Sequence, residues 1–201
     1  MKYAVLILMV LSRLAFCQNP DYSLLKSINA HNMPCWDKTM RGLSTTVYPL
    51  APLSAAGILA HGYLKKDKVL IRNGYKSAIS LSFAMLMSTT LKYIIRRERP
   101  YHAHPDIVQR DTPGTYSFPS GHTTAAFATA TALSLSYKKW YVAVPAYTYA
   151  GFVGYSRMRL GVHYPSDVLG GIVLGIGSGL LTWQIDKWLS RRKPAVSQFE
   201  F

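Results

Sequence analysis

The sequence predicts an all-α, polytopic membrane bundle, and three observations predict it. Four or five apolar stretches of about 16 to 22 residues recur along the 201-residue chain, close to the ~20 residues that cross a hydrocarbon core. The basic surplus, 23 Lys and Arg against 9 Asp and Glu for a net charge of +14, sits in short clusters between those stretches, as it does in membrane loops. Strand signals are poor, because nothing alternates with period two for long between turn residues. The charged fraction of 16% lies well below the usual quarter and excludes a disordered basic tail or a ribosomal-type chain. A basic chain invites a nucleic-acid reading, but here no single stripe of charge forms, so no nucleic-acid partner is expected. Two cysteines, Cys17 and Cys35, are too few for a disulfide framework or a zinc site.

Residues 1–17 place Lys2 ahead of an apolar run from Tyr3 to Leu11 and put Ala15 and Cys17 before a possible cut. This resembles a secretory signal peptide, with Arg13 as an irregularity. A retained first span and a lipidated Cys17 are the alternatives. The later candidate spans are Leu43–Gly62, Gly74–Ile95, Gly121–Tyr137, Trp140–Ser156 and Asp167–Trp188. They are rich in Ala, Gly, Ser and Thr, which let helices approach closely in a bilayer and hold the mean hydropathy to +0.08. Gln18–Arg41 and Pro100–Pro119, with their Asn, Pro and Gly residues, read as linkers. Basic loops at Gly62–Asn73, Tyr137–Lys139 and the C-terminal end alternate with segments Arg96–Ser120 and Arg157–Ser166. By the excess of Lys and Arg on the cytoplasmic side, the latter two face the outside. The count is five spans after signal cleavage or six without it. Residues 18–193 then form a single domain and 194–201 a tail. A soluble, all-helical periplasmic domain is the alternative architecture.

Three polar clusters abut helix ends on the outer side. In Lys92–Pro100, Lys92 and Arg99 are seven apart and fall about 20° from one face of a helix, with Pro100 ending it. Lys92 and Arg99 form a stacked pair of cations for phosphate, or Lys92, Arg96, Arg97 and Arg99 simply snorkel or bind lipid headgroups. In Phe118–His122, Pro119 and Ser120 start a helix whose N–H groups form an anion site. Gly121 allows close approach to that backbone, and His122 stands where it can give a proton to a departing oxygen, or is incidental to a capped helix. In Ser156–Asp167, Arg157 offers a planar fork for phosphate oxygens. Asp167, four residues after His163, either fixes the imidazole tautomer for nucleophilic attack or caps the last helix.

Together, Lys92…Arg99-Pro100, Pro119-Ser120-Gly121-His122 and Ser156-Arg157…His163…Asp167 reproduce K-x6-R-P, P-S-G-H and S-R-x5-H-x3-D without departure. This tripartite pattern resembles the type 2 phosphatidic acid phosphatase family, related to bacterial acid phosphatases and vanadium haloperoxidases. The resemblance covers about Lys92 to Asp167 and points to the family's bacterial membrane branch, with an acid phosphatase/haloperoxidase-like core. It implies that His163 attacks phosphorus to give a phosphohistidine and that Asp167 orients it. It implies that His122 protonates the leaving group and then activates water. It assigns Lys92, Arg99, Arg157, the Ser120 hydroxyl and the Gly121 N–H to the phosphate oxygens. No metal and no cofactor are implied. The substrate expected is a lipid phosphate (a phosphate of lipid A, undecaprenyl diphosphate, phosphatidylglycerol phosphate or phosphatidic acid). It would be hydrolysed at the periplasmic face of a bacterial inner membrane, among membrane lipids and with no obligate protein partner.

His102, His104 and Asp106 could be offered as a metal set, but in a Pro-bearing loop they read as solvated or substrate-mouth residues. His31 and His61 have no partner pattern and read as interfacial or packing residues. Arg96, Arg97 and Arg159 are expected near the pocket, attracting an acidic headgroup. A soluble acid phosphatase, a vanadate-dependent haloperoxidase and a non-catalytic lipid-binding bundle are the competing classes. Acid–base chemistry by two histidines predicts a bell-shaped pH profile.

Overall fold

The structure, a computed structural model, describes residues 18–30 and 33–192; the signal-peptide or first-span reading of residues 1–17, His31 and the tail lie outside them. The described residues form eight helices and no strand: α1 Gln18–Asn29, α2 Pro34–Thr45, α3 Val47–Leu64, α4 Lys68–Ile95, α5 Pro100–Ala103, α6 Gly121–Tyr137, α7 Trp140–Arg159 and α8 Pro165–Arg192. The five candidate spans of the sequence correspond to α3, α4, α6, α7 and α8. Three helical stretches, 34–64, 68–103 and 165–191, are long and apolar enough to cross a membrane by length and composition.

Helix α6 stands at the centre, packed against α3, α4, α7 and α8. At 17 residues it is only about 26 Å long. Its residues Thr123 through Ala128, with Ala130 to Ala132, are buried nearly all round, as a helix with no polar face must be. Small side chains let its neighbours close on it. On α8, Gly171, Gly175 and Gly179 recur every fourth residue along the seam. A Cβ on Gly175 would stand 2.6 Å from the Thr124 carbonyl oxygen and 2.8 Å from the Ala128 nitrogen. Those are backbone atoms of α6 and cannot swing aside. Gly175→Ala therefore destabilises the bundle by about 1–3 kcal/mol, the usual cost of overpacking. Thermal unfolding in detergent measures it, and an unchanged melting temperature would contradict this seam.

The bundle has two chemically distinct ends. At one, the α3–α4 and α6–α7 turns meet the end of α8. There Asp67 caps α4 by accepting from the Val69 and Leu70 N–H groups, Arg72 donates to Asp186 at 2.7 and 2.9 Å, and Lys76 lies 4.5 Å over the Trp183 ring. His61 packs there against Tyr137, with Nδ1 3.1 Å from its hydroxyl. The three basic segments seen in the sequence thus share one end. The end of α4 and the starts of α6 and α8 share the other.

The expectation of a linker over Gln18–Arg41 is corrected: this stretch is mostly two 12-residue helices. The Pro20 and Pro34 read as linker residues fall in first turns, where proline costs no hydrogen bond. Helix α1 packs on α7 and α8, and α2 on α7. They hold the 104–119 loop over the bundle. The Asn29 side chain accepts from Val108 N–H at 2.9 Å and donates to the Val108 and Arg159 carbonyls. Asp37 receives Arg110 and Arg159, both at 2.9 Å.

Candidate active site

At the end opposite the basic turns, a cavity of about 230 Å³ is lined by Lys92, Arg99, Gly121, His122, Arg157 and His163, with Tyr48, Met85, Thr89 and Tyr93 at its rim. That is smaller than the ~300 Å³ lower bound of drug-sized pockets, a volume for a phosphate and the start of its ester. Six of the eight expected phosphate-binding and catalytic residues line it; Ser120 and Asp167 stand one layer behind.

His163 lies in the short turn between α7 and α8 and is only 2% exposed. Its Nδ1 is 3.5 Å from Asp167 Oδ2 and 3.5 Å from the Ser117 hydroxyl. Its Nε2 points the other way, 3.3 Å from Arg99 Nη1. A carboxylate beside Nδ1 keeps the proton there and leaves the Nε2 lone pair towards the cavity. Burial first, and then the charges of Arg99, Lys92 and Arg157, push the His163 imidazole well below its usual value of 6.5. Since protonation would consume the Nε2 lone pair, a depressed value keeps that pair free as pH falls through 6.5. Side-chain ¹⁵N spectra, assigned with His163→Gln, then show a neutral Nδ1–H tautomer at pH 6.5; a cationic ring at that pH would overturn this reading.

Asp167 is fully buried and its position is over-determined. Oδ2 accepts from the Ser117 hydroxyl at 2.5 Å and the Tyr164 N–H at 2.9 Å, and Oδ1 from Arg97 at 2.7 Å. The bond from the Tyr164 N–H makes Asp167 a helix-start group, and the same carboxylate lies 3.5 Å from the His163 ring.

The cations reach the cavity differently from the helical stacking expected. Helix α4 ends at Ile95, because Arg96 turns left-handed at φ 51°, and Arg99 sits in extended backbone before α5. Lys92 still meets it. Lys92 Nζ donates to the Tyr116 and Ser117 carbonyls at 2.7 and 3.2 Å, while Arg99 donates to Thr115 and Val162 carbonyls at 2.7 and 2.8 Å. Arg157, 1% exposed, donates through Nη1 to the Ser44 hydroxyl and pairs with Asp111, each at 2.8 Å.

At the start of α6, Gly121 would direct a Cβ into open space, its nearest neighbours the Ser88 and Tyr48 hydroxyl oxygens at 3.9 Å, so an anion can come up to the backbone there. The Ser120 hydroxyl instead accepts from Thr123 at 2.9 Å and is fully buried, and its N–H donates to the Asp167 carbonyl at 3.0 Å. It ties α6 to α8. His122 Nδ1 lies 3.4 Å from the Tyr48 hydroxyl, with ring centroids 4.5 Å apart.

A further expectation is corrected. Arg97 and Arg159 do not await a headgroup: Arg97 is paired with Asp21 at 2.8 Å and Asp167 at 2.7 Å, and Arg159 with Asp37. Unpaired guanidinium groups could not be buried this deeply, so carboxylates follow them inward. Arg96 remains exposed. His104 stacks on Tyr22 at 4.1 Å, His102 lies against Tyr101, and Asp106 pairs with Lys26 at 2.8 Å. His104 and Asp106 thereby fasten the loop to α1, while His102, inside α5, and Asp106 remain exposed, in keeping with the solvated reading.

The model of a family described as the PAP2 superfamily matches residues 75–191. An undecaprenyl-diphosphatase of Sulfolobus acidocaldarius is 33% identical over 114 residues, which cover 56% of this chain and 55% of that protein. A lipid A 1-phosphatase of Porphyromonas gingivalis is 34% identical over 151 residues, 74% of this chain and 30% of that protein. The chain thus spans about half or less of the length of these two relatives. A transmembrane PAP2 type phosphatidylglycerolphosphate phosphatase from Bacillus subtilis superposes with a TM-score of 0.72 at 26% identity, over 96% of this chain and 100% of that one.

Proposed function

The chain belongs to the PAP2 superfamily, and from that premise we propose that it is a metal-independent phosphatase of membrane lipids. It hydrolyses a phosphomonoester or diphosphate through a phosphohistidine. The observation that carries this reading is His163. One ring nitrogen is held by Asp167, and the other faces a cavity walled by Lys92, Arg99 and Arg157.

In the first step His163 Nε2 forms a bond to phosphorus while the ester P–O bond breaks, and His122 gives the departing oxygen its proton. In the second step His122 takes a proton from water as the water oxygen bonds phosphorus and the N–P bond breaks. Lys92, Arg99, Arg157 and the Gly121 N–H stabilise the charge on the equatorial oxygens in both. Three cations around one phosphate neutralise its charge without a metal. Asp167 and Ser117 hold the imidazole, and Ser120 sets the start of α6 from behind the cavity.

The lipid part rests on the apolar flanks. Leu86 and Ile94 on α4, 65% and 71% exposed, follow the cavity-lining Met85 and Tyr93 in the chain and turn outward, an apolar flank suited to a bilayer around the site. The basic end of the bundle is the cytoplasmic one by the positive-inside rule. The site then opens on the periplasmic face of a bacterial inner membrane, with five described helices crossing it. The relatives' names point to lipid A phosphate and polyprenyl diphosphate as the substrate classes to test first. Phosphatidylglycerol phosphate and phosphatidic acid complete the panel. Phosphate release from these purified lipids in detergent, with His163→Ala as blank, tests the proposal. Hydrolysis of none of them above the blank refutes it.

A further inference from the structure

Helix α4 carries a hydroxyl that the proposed mechanism leaves unused. Ser88 precedes Lys92 by four residues, so the two side chains leave the helix on the same face. Ser88 is 1% exposed and lines the same cavity as Lys92, Arg157 and His163. Its Oγ has no hydrogen-bond partner among the described residues. Two other hydroxyls on α4 turn back to the preceding turn, Ser77 to the Asn73 carbonyl at 2.8 Å and Thr90 to the Leu86 carbonyl at 2.9 Å; Ser88 does not. It stands 3.9 Å from the point where a Gly121 Cβ would lie, in the space through which an anion reaches the start of α6. Arg157 Nε is likewise buried and unpartnered, its Nη1 being occupied by Ser44 and Asp111. Two residues lining this cation-rich cavity, one on α4 and one on α7, thus each carry a donor without an acceptor among the described residues. A buried hydroxyl without a partner is a standing cost to the fold, and a phosphoryl oxygen between them would remove it.

We propose that Ser88 is a phosphate-binding residue of this site, donating its hydroxyl proton to a non-bridging phosphoryl oxygen beside the Gly121 backbone. The inference rests on the phosphatase reading above. Unpartnered hydroxyls elsewhere in the bundle show that orphanhood alone is not enough. Ser80, two turns earlier on α4, is also buried without a partner, but it lies near Gly179, away from the cavity. It serves as the internal control.

The experiment measures competitive inhibition by inorganic phosphate and orthovanadate, KM and kcat on a hydrolysed lipid phosphate, and thermal unfolding. It compares wild type, Ser88→Ala, Ser88→Cys and Ser80→Ala. Ser88→Ala and Ser88→Cys are expected to weaken both anions about tenfold, the effect of losing a hydrogen bond to a charged group. The melting temperature should not fall, because deleting an unsatisfied buried hydroxyl removes a cost. Ser80→Ala should leave anion inhibition unchanged. Wild-type inhibition constants in both Ser88 variants, or equal weakening in Ser80→Ala, overturn the inference and leave the phosphatase reading standing. A fall in melting temperature with unchanged inhibition makes Ser88 structural and overturns it too. A wild-type protein that neither hydrolyses the lipids nor binds either anion overturns both.

Discussion

His163→Ala is expected to lower phosphate release at least about 10³-fold, the scale seen when a covalent nucleophile is removed, while leaving the bundle folded. Folding survives because Asp167 keeps the Ser117 hydroxyl, the Tyr164 N–H and Arg97 after the ring is gone. The same experiment tests the intermediate. Phosphohistidine survives base and is lost in acid, so a base quench of enzyme turning over a labelled substrate should trap label on the wild type and none on His163→Ala. His122→Ala separates the two half-reactions. With a good leaving group such as p-nitrophenolate the first step needs no general acid, whereas attack by water still needs a base, so label should accumulate above the wild-type level. If His163→Ala retains turnover, or label appears on it in equal amount, the nucleophile has been misassigned.

Local punctuation makes much of this arrangement legible in the sequence. Helix α6 runs from Gly121 to Tyr137, the span read from the sequence, because Pro119–Ser120 starts it and Lys138–Lys139 ends it. The ends of α3, α4, α7 and α8 fall within a few residues of the apolar stretches, apart from the start of α4, where the basic turn itself is helical. What was not legible depends on distant pairing. Ser117, Tyr48 and Asp111 occupy the site through partners 50, 74 and 46 residues away, namely Asp167, His122 and Arg157, and nothing in their own neighbourhoods marks them. Lys92 and Arg99 converge as expected but not by helical stacking. The left-handed turn at Arg96 breaks the helix three residues before Arg99, and carbonyls of the 115–117 segment then gather both cations.

Arg97 shows how far that distant pairing reaches, and it carries the other large expected effect. Its guanidinium spans Asp167 at the start of α8 and Asp21 on α1, donates to the Ser166 hydroxyl at 2.6 Å and lies 4.0 Å over the Tyr164 ring. Asp167 and Asp21 are 0% and 7% exposed. Removing the cation leaves two buried carboxylates uncompensated, and breaking a buried pair in this way costs about 3–5 kcal/mol. Arg97→Ala should therefore melt far below wild type. Arg97→Lys, which keeps the charge but cannot span both carboxylates with one planar fork, should fall between the two. The kinetic signature separates Arg97 from the phosphate-binding cations. It does not line the cavity and acts only by positioning Asp167 and through it His163. In Arg97→Lys, kcat should drop while the inhibition constant for inorganic phosphate stays at the wild-type value. Arg157→Lys, by contrast, should weaken phosphate inhibition. If Arg97→Lys weakens phosphate as strongly as Arg157→Lys does, Arg97 belongs to the binding site. If Arg97→Ala melts and turns over as wild type, the buried network contributes nothing to holding the nucleophile.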